Sequence, residues 1–205
     1  MLRNPQLLAY RPTTPREKPN TRSTRRVPGT VDLTIAAKGL TIDELANGED
    51  LSALGTRWRV VSDRVMGGIS DGRMTYEDIG GRRSLCLRGR VSLENNGGFL
   101  QLALDLSRDG TLDASPYEGV RLVVRGNAEA YNIHLKTEDT GLPWQSYRQS
   151  FETGSAWRDV RLPFNSFEPH RIDVPLDRRR LRRLGIVAIG RAFTADICVA
   201  EIRFY

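Results

Sequence analysis

The sequence predicts an all-β domain, an antiparallel sandwich with a few short helical turns, preceded by a polar tail over residues 1–30. Three observations predict it. Apolar and polar residues alternate over short runs, those runs are bounded by Gly, Asn, Asp and Pro, and beyond Trp58 no long helical period is sustained.

A chain of 205 residues suffices for one domain with a full core. It contains no run of about eighteen apolar residues, so no membrane-crossing helix is predicted and the chain reads as soluble. The net charge of +6 would suit nucleic acid, but its position argues otherwise. Residues 1–30 carry Arg3, Arg11, Arg16, Lys18, Arg22, Arg25 and Arg26 against the single acid Glu17, and the remainder holds 24 basic and 24 acidic side chains. A neutral domain gives phosphate backbones little to attract, so nucleic acid is not the expected partner.

Pro5, Pro12, Pro15, Pro19 and Pro28 lie among polar and basic residues, a composition that predicts disorder for 1–30 and a single domain over 31–205. The tail lacks the apolar core of a secretory signal. It is Arg-rich and acid-poor like a mitochondrial presequence, but its prolines oppose the required amphipathic helix. A bacterial cytoplasmic protein is therefore expected, with the mitochondrial matrix as the alternative.

In "TIDELANGEDLSAL", Thr41 and Glu44 have capping-box spacing, which predicts one or two helical turns. In "VRLVVR", Val120, Leu122 and Val124 share one face and Arg121 and Arg125 the other. In "YNIHLKT", Tyr131, Ile133 and Leu135 oppose Asn132, His134 and Lys136. "SLCLRGRVSL", "FLQLALDL", "WRDVRLPF", "IVAIG" and "ICVAEIRFY" are further strands. "LDRRRLRRLG" reads as one helical turn capped by Asp177, its five arginines forming a solvated face. Cys86 and Cys198 sit in apolar runs without metal-spaced neighbours, which predicts buried free thiols in a reducing compartment.

"WRVVSDRVMGGISDG" sets a strand against a charged pair and two glycines. No Gly-Lys-Ser/Thr follows Gly67-Gly68, so a phosphate loop is excluded, and a corner or bulge is predicted with "SDG" as a turn. "ENNGGFLQL" gives a second glycine corner at Asn95-Asn96-Gly97-Gly98. Neither His134 nor His170 stands near a nucleophile elbow, and Asp63 with Glu94 or Asp71 makes only a weak acid–base pair, so no catalytic residue is predicted. No metal site and no cofactor are predicted either. Trp144, Tyr147 and Arg148 in "PWQSYRQSF" form a row that could stack on a sugar or on a partner, with Trp157 and Asn132 as further candidates; Tyr147 and Phe151 should share a face that Arg148 does not.

Taken in order, "WRVVSDRVMGGISDG", "GRVSLENNGGFLQL", "YEGVRLVVRGNAEAYNIHL", "SYRQSF" and "WRDVRLPFNSFEPHR" resemble the complex I intermediate-associated protein 30 family from about Trp58 to Tyr205. The resemblance departs at Arg171-Ile172, where the family's usual pair is Arg-Gly. It implies a jelly-roll sandwich of the galactose-binding-domain-like class and a role in assembling NADH:ubiquinone oxidoreductase without catalysis. The expected activity is thus a binding or assembly factor acting by protein contact through Asp63, Arg64, Met66, Gly67, Gly68, Asn96, Gly97, Gly98 and Phe99. In that expectation Met66 and Phe99 supply the apolar contact, while Asp63 and Arg64 satisfy buried backbone or each other. A carbohydrate-binding module is the competing expectation.

Overall fold

The computed structural model describes residues 39–45 and 51–205. Twelve strands follow one another: β1 (Leu40–Asp43), β2 (Arg59–Ser62), β3 (Asp71–Asp78), β4 (Arg83–Val91), β5 (Phe99–Asp105), β6 (Gly119–Gly126), β7 (Ala130–Thr137), β8 (Ser146–Glu152), β9 (Arg158–Pro163), β10 (Glu168–His170), β11 (Leu181–Ile189) and β12 (Phe193–Phe204). Among the described residues only 3-10 turns interrupt them. The strands form two six-stranded antiparallel sheets, one ordered β3-β4-β12-β6-β9 with β1 also on β12, the other β10-β8-β7-β11-β5-β2.

The period-two pattern determines which face closes the core. Leu85 and Leu87 of β4, Val120, Leu122 and Val124 of β6, and Ile197 and Val199 of β12 are buried from the first sheet. Leu100, Leu102 and Leu104 of β5, Ile133 and Leu135 of β7, and Leu184 and Ile186 of β11 are buried from the second. Each such side chain contributes about 1.5–3 kcal/mol by leaving water, so the two inner faces dominate the stability of the sandwich.

Four expectations need correction or completion. Thr41 does not cap a helix: Leu40 to Asp43 form β1, whose Thr41 lies opposite Arg203 of β12. Burial of Ile42 and the two bonds accepted by Asp43, from Leu45 N–H (2.9 Å) and Trp58 Nε1–H (2.8 Å), outweigh the capping-box spacing. "SDG" is no turn either, since Asp71 and Gly72 begin β3. Gly72 lies opposite Gly89 of β4, and a Cβ on Gly89 would come within 2.5 Å of the Gly72 Cα, so the pair of glycines lets the strands approach.

Cys86 and Cys198 are not free thiols but a disulfide. They are direct register partners on β4 and β12, which brings together residues 112 positions apart. The turn at Asp177 does form, as a 3-10 turn over Arg178–Arg180 in which the Arg179 N–H donates to the Asp177 carboxylate at 2.9 Å. Its arginines are not simply solvated, because Arg180 pairs with Asp177, Glu138 and Asp139, and Arg183 pairs with Asp105. The expectation for 1–30, and residues 46–50 of the predicted helical segment, lie outside the described residues.

Candidate functional site

The two glycine corners meet at a single carboxylate. After β2 the chain enters a 3-10 turn over Asp63–Met66, closed by Gly67 at φ 88°, a left-handed conformation that glycine adopts without penalty. Asp63 is fully buried beneath this turn. It accepts hydrogen bonds from Ser70 N–H (2.9 Å), Ser70 Oγ–H, Gly98 N–H and Phe99 N–H (3.2 Å). Burial alone would raise the carboxyl's pKa, but these bonds together hold it below the usual carboxylate range. Ser70 Oγ in turn accepts the Ser92 N–H at 2.9 Å. One carboxylate therefore ties the end of β2 to the start of β3 and to the entry of β5.

Outward from this knot, a groove of about 890 Å³ crosses the outer face of the second sheet. Every strand of that sheet lines it, from Val61 of β2 through Gln101, Val187, His134 and Arg148 to His170 of β10. Six strands at about 4.8 Å spacing make it roughly 24 Å wide. In the middle of its floor, Gly185 lies between Ala103 and His134, and the Gln101 side chain lies over Gly185, where an added Cβ would sit 2.1 Å from Gln101 Nε2.

The two ends of the floor differ. Toward the glycine corners stand Phe99, Val187 and Ile189, and the rim above them is Val65, Met66 and Leu93. Toward the other end stand Lys136, Arg148, Arg182 and Arg183, beneath the loop that carries Leu142 and Trp144. Lys136 fixes that loop by donating to the carbonyls of Leu142 (3.4 Å) and Pro143 (2.7 Å). Its burial, and the repulsion of Arg183, Arg182 and Arg148, lower its pKa to about 8. His134 is 7 % exposed and its Nε2 has no hydrogen-bond partner among the described residues. Burial, reinforced by Arg148, pushes its pKa down to about 3, so it is neutral at physiological pH.

The outer face of the first sheet is different in kind. There Arg88 pairs with Asp196 (3.0 Å) and Glu77, and Arg121 pairs with Asp159 (2.6 Å) and Glu201 (2.8 Å). Those two arginines are neutralised by their partners, whereas among the described residues no carboxylate lines the groove of the second sheet.

Of the residues singled out in the sequence, Met66, Asn96, Gly97, Gly98, Phe99, Trp144 and Arg148 line the groove. Asp63 and Gly68 lie buried below it, and Arg64 pairs with the exposed Asp71 at 3.3 Å. Tyr147 does not join the row with Trp144: strand alternation turns its ring into the core, on the same face of β8 as Phe151, and its hydroxyl donates to the carbonyls of Val174 (3.0 Å) and Pro175 (3.2 Å). Trp157 lies off the groove, with the Arg82 guanidinium 5.8 Å from its ring centre, and Asn132 does not line the groove. Val65, Leu93, Lys136, Leu142, Arg182 and Arg183 were not singled out from sequence. Outward phase on a strand was legible for Lys136, but nothing in one strand says which neighbours cross its face.

The fold is a jelly-roll β-sandwich, the architecture of carbohydrate-binding modules. The chain is similar to the family 11 carbohydrate-binding module of the cellulosomal cellulase Lic26A-Cel5E of Clostridium thermocellum, at 12% identity over 81% of this chain and 93% of that one, TM-score 0.62. It is also similar to a Clostridium thermocellum family 11 module in complex with a β-1,3-1,4-mixed-linked tetrasaccharide, at 12% identity over 80% and 94%, TM-score 0.61. A third likeness is to the family 30 module of the cellulosomal cellulase Cel9D-Cel44B of the same organism, at 14% identity over 72% and 90%, TM-score 0.56. At these identities the likeness shows the fold alone.

The chain belongs to the complex I intermediate-associated protein 30 family, whose model matches residues 49–196. No curated protein sequence matches it. Among the described residues no helix is long and apolar enough to cross a membrane.

Proposed function

We propose that this protein is a non-catalytic assembly factor that holds a polypeptide partner in the groove of its second sheet. One observation carries the reading. Of the six large hydrophobic side chains that are exposed among the described residues, five (Val65, Met66, Leu93, Leu142 and Trp144) line this groove. Apolar groups gathered on the two rims of one depression mark a contact surface, whereas scattered ones would need no explanation. Membership of a family named for association with a complex I intermediate supports a respiratory-chain subunit or assembly intermediate as the partner. His134 and His170 both line the groove, and His134 Nε2 has no hydrogen-bond partner among the described residues.

The test is capture of the tagged protein from its host at low salt, alongside a variant carrying Val65→Ser, Met66→Ser and Trp144→Ser. A polypeptide held by the parent chain and lost from the variant is the expected result. A partner retained equally by both removes the groove from the reading, and recovery of no subunit of NADH:ubiquinone oxidoreductase removes the respiratory role.

A glycan is the second reading, favoured by the half-exposed Trp144 above the groove. Retarded migration in a gel containing mixed-linkage β-glucan, abolished by Trp144→Ala, would replace the first reading with this one.

A further inference from the structure

We propose that the cationic end of the groove is a receptor for an acidic side chain of the partner, so that the segment bound there is an extended peptide carrying Asp or Glu a few residues from an apolar anchor. The inference rests on the protein-contact reading above and adds the chemistry of the occupant.

Charge complementarity argues for it first. Lys136, Arg148, Arg171, Arg182 and Arg183 line the groove together with His134 and His170, and among the described residues no Asp or Glu does. Among the described residues only Arg183 of these arginines has a carboxylate partner, Asp105 at 2.7 Å. Arg148 donates through Nε to Ser146 Oγ at 2.9 Å, which fixes the guanidinium stem, and its terminal nitrogens have no hydrogen-bond partner among the described residues. Glu168 is its register partner on β10 but makes no ion pair with it. A planar guanidinium with two free N–H groups side by side is the group that grips a carboxylate in two parallel bonds.

The second argument is independent of charge. Buried polar atoms are nearly always bonded, and one that is not points to a missing partner. His134 is 93 % buried by its 7 % exposure, lies opposite Arg148 across the β7–β8 pair, and leaves Nε2 unpartnered in the groove lining. A carboxylate held by Arg148 would lie in the row of His134, whose Nε2 lacks a partner among the described residues.

Geometry then sets the spacing. Along β11, Ile189 at the apolar end and Gly185 in the row of His134 and Arg148 are four residues apart, or about 13 Å. An extended peptide laid along the groove would therefore place its acid about four residues from the side chain packed on Phe99 and Ile189. The rims argue for a polypeptide over a sugar, since Val65, Met66, Leu93 and Leu142 are aliphatic and sugars stack on flat aromatic faces. The chain's own residues 1–30, with seven basic groups and one acid, have the wrong sign for this site.

The experiment is selection of a random nine-residue peptide library on the full chain, repeated with Arg148→Gln and with Arg182→Gln. Expected is at least fivefold enrichment of Asp or Glu about four positions from an apolar residue, lost in the Arg148→Gln selection and weakened by added salt. Enrichment of apolar peptides without acids overturns the acidic receptor and leaves the protein-contact reading standing. Absence of any enriched peptide, with the capture experiment also empty, overturns both. Binding of oligogalacturonate with no peptide enrichment overturns the proposal in favour of an acidic glycan.

Discussion

The carboxylate of Asp63 occupies the space that a side chain at Gly97 would need: a Cβ on Gly97 would lie 2.5 Å from Asp63 Oδ2, and one on Gly68 would lie 2.4 Å from Asp63 Cγ. The two double-glycine motifs, 30 residues apart by number, are thus one structural requirement, since each corner must leave room for the same buried acid.

Gly97→Ala and Gly68→Ala should each cost about 2 kcal/mol by overpacking. Gly67 meets nothing within 4 Å, so Gly67→Ala should cost only its left-handed strain, about 1 kcal/mol. Urea unfolding measures both. In an Asp63→Ala background, already weaker by about 3 kcal/mol through its orphaned N–H groups, the further cost of Gly97→Ala should nearly vanish. Additive losses would show that the two residues do not share the site.

Acid should unfold the domain in two windows. His134 has a folded pKa depressed to about 3, below its unfolded value near 6.5, so its contribution is complete above pH 6.5 and lost as pH falls toward 3. Asp63 is likewise depressed, so its contribution is complete above about pH 4 and lost below that as the folded carboxyl protonates. Urea midpoints of His134→Leu should therefore be flatter than those of the parent chain between pH 6.5 and 4, with the steeper loss below pH 4 unchanged.

Reducing the Cys86–Cys198 disulfide should lower stability by about 3–5 kcal/mol, because the loop it closes in the unfolded chain is long. The double variant Cys86→Ala, Cys198→Ala should match the reduced protein in denaturant midpoint and be indifferent to dithiothreitol. A parent chain equally indifferent would contradict the bridge.

Lys136→Met should free the loop over residues 140–144 without unfolding the sheet. Two hydrogen bonds to loop carbonyls are lost, and at about 1 kcal/mol for one net bond the amides there should exchange about fivefold faster by mass spectrometry. Exchange in the β7 and β11 cores should not change.

The strands were legible because their signal is local. Val120, Leu122 and Val124, or Tyr131, Ile133 and Leu135, declare their inner face by alternation within six residues. What escaped depends on register between distant segments. Cys86 and Cys198 look like two buried thiols until β4 and β12 are laid side by side, and Thr41 looks like a cap until Ile42 finds its place in the core. The groove is the same case. Lys136 and Arg183 read as outward residues of their own strands and Arg148 as part of a row with Trp144, and only the order β8-β7-β11 makes the three one surface. Asp63 was noticed for its neighbours in sequence, although its partners Gly98 and Phe99 belong to the other corner.

The place of β12 has a consequence for how the domain is made. It sits between β4 and β6 in the middle of the first sheet, pairing residues Phe193 to Phe204 with strands that begin at Arg83 and Gly119, far earlier in the chain. A nascent chain that has not yet released Phe204 from the ribosome exposes β4 and β6 with their apolar faces uncovered and their inner edges unpaired. The first sheet can therefore close only once β12 has emerged, and pairings of such long sequence separation are intrinsically slow to form.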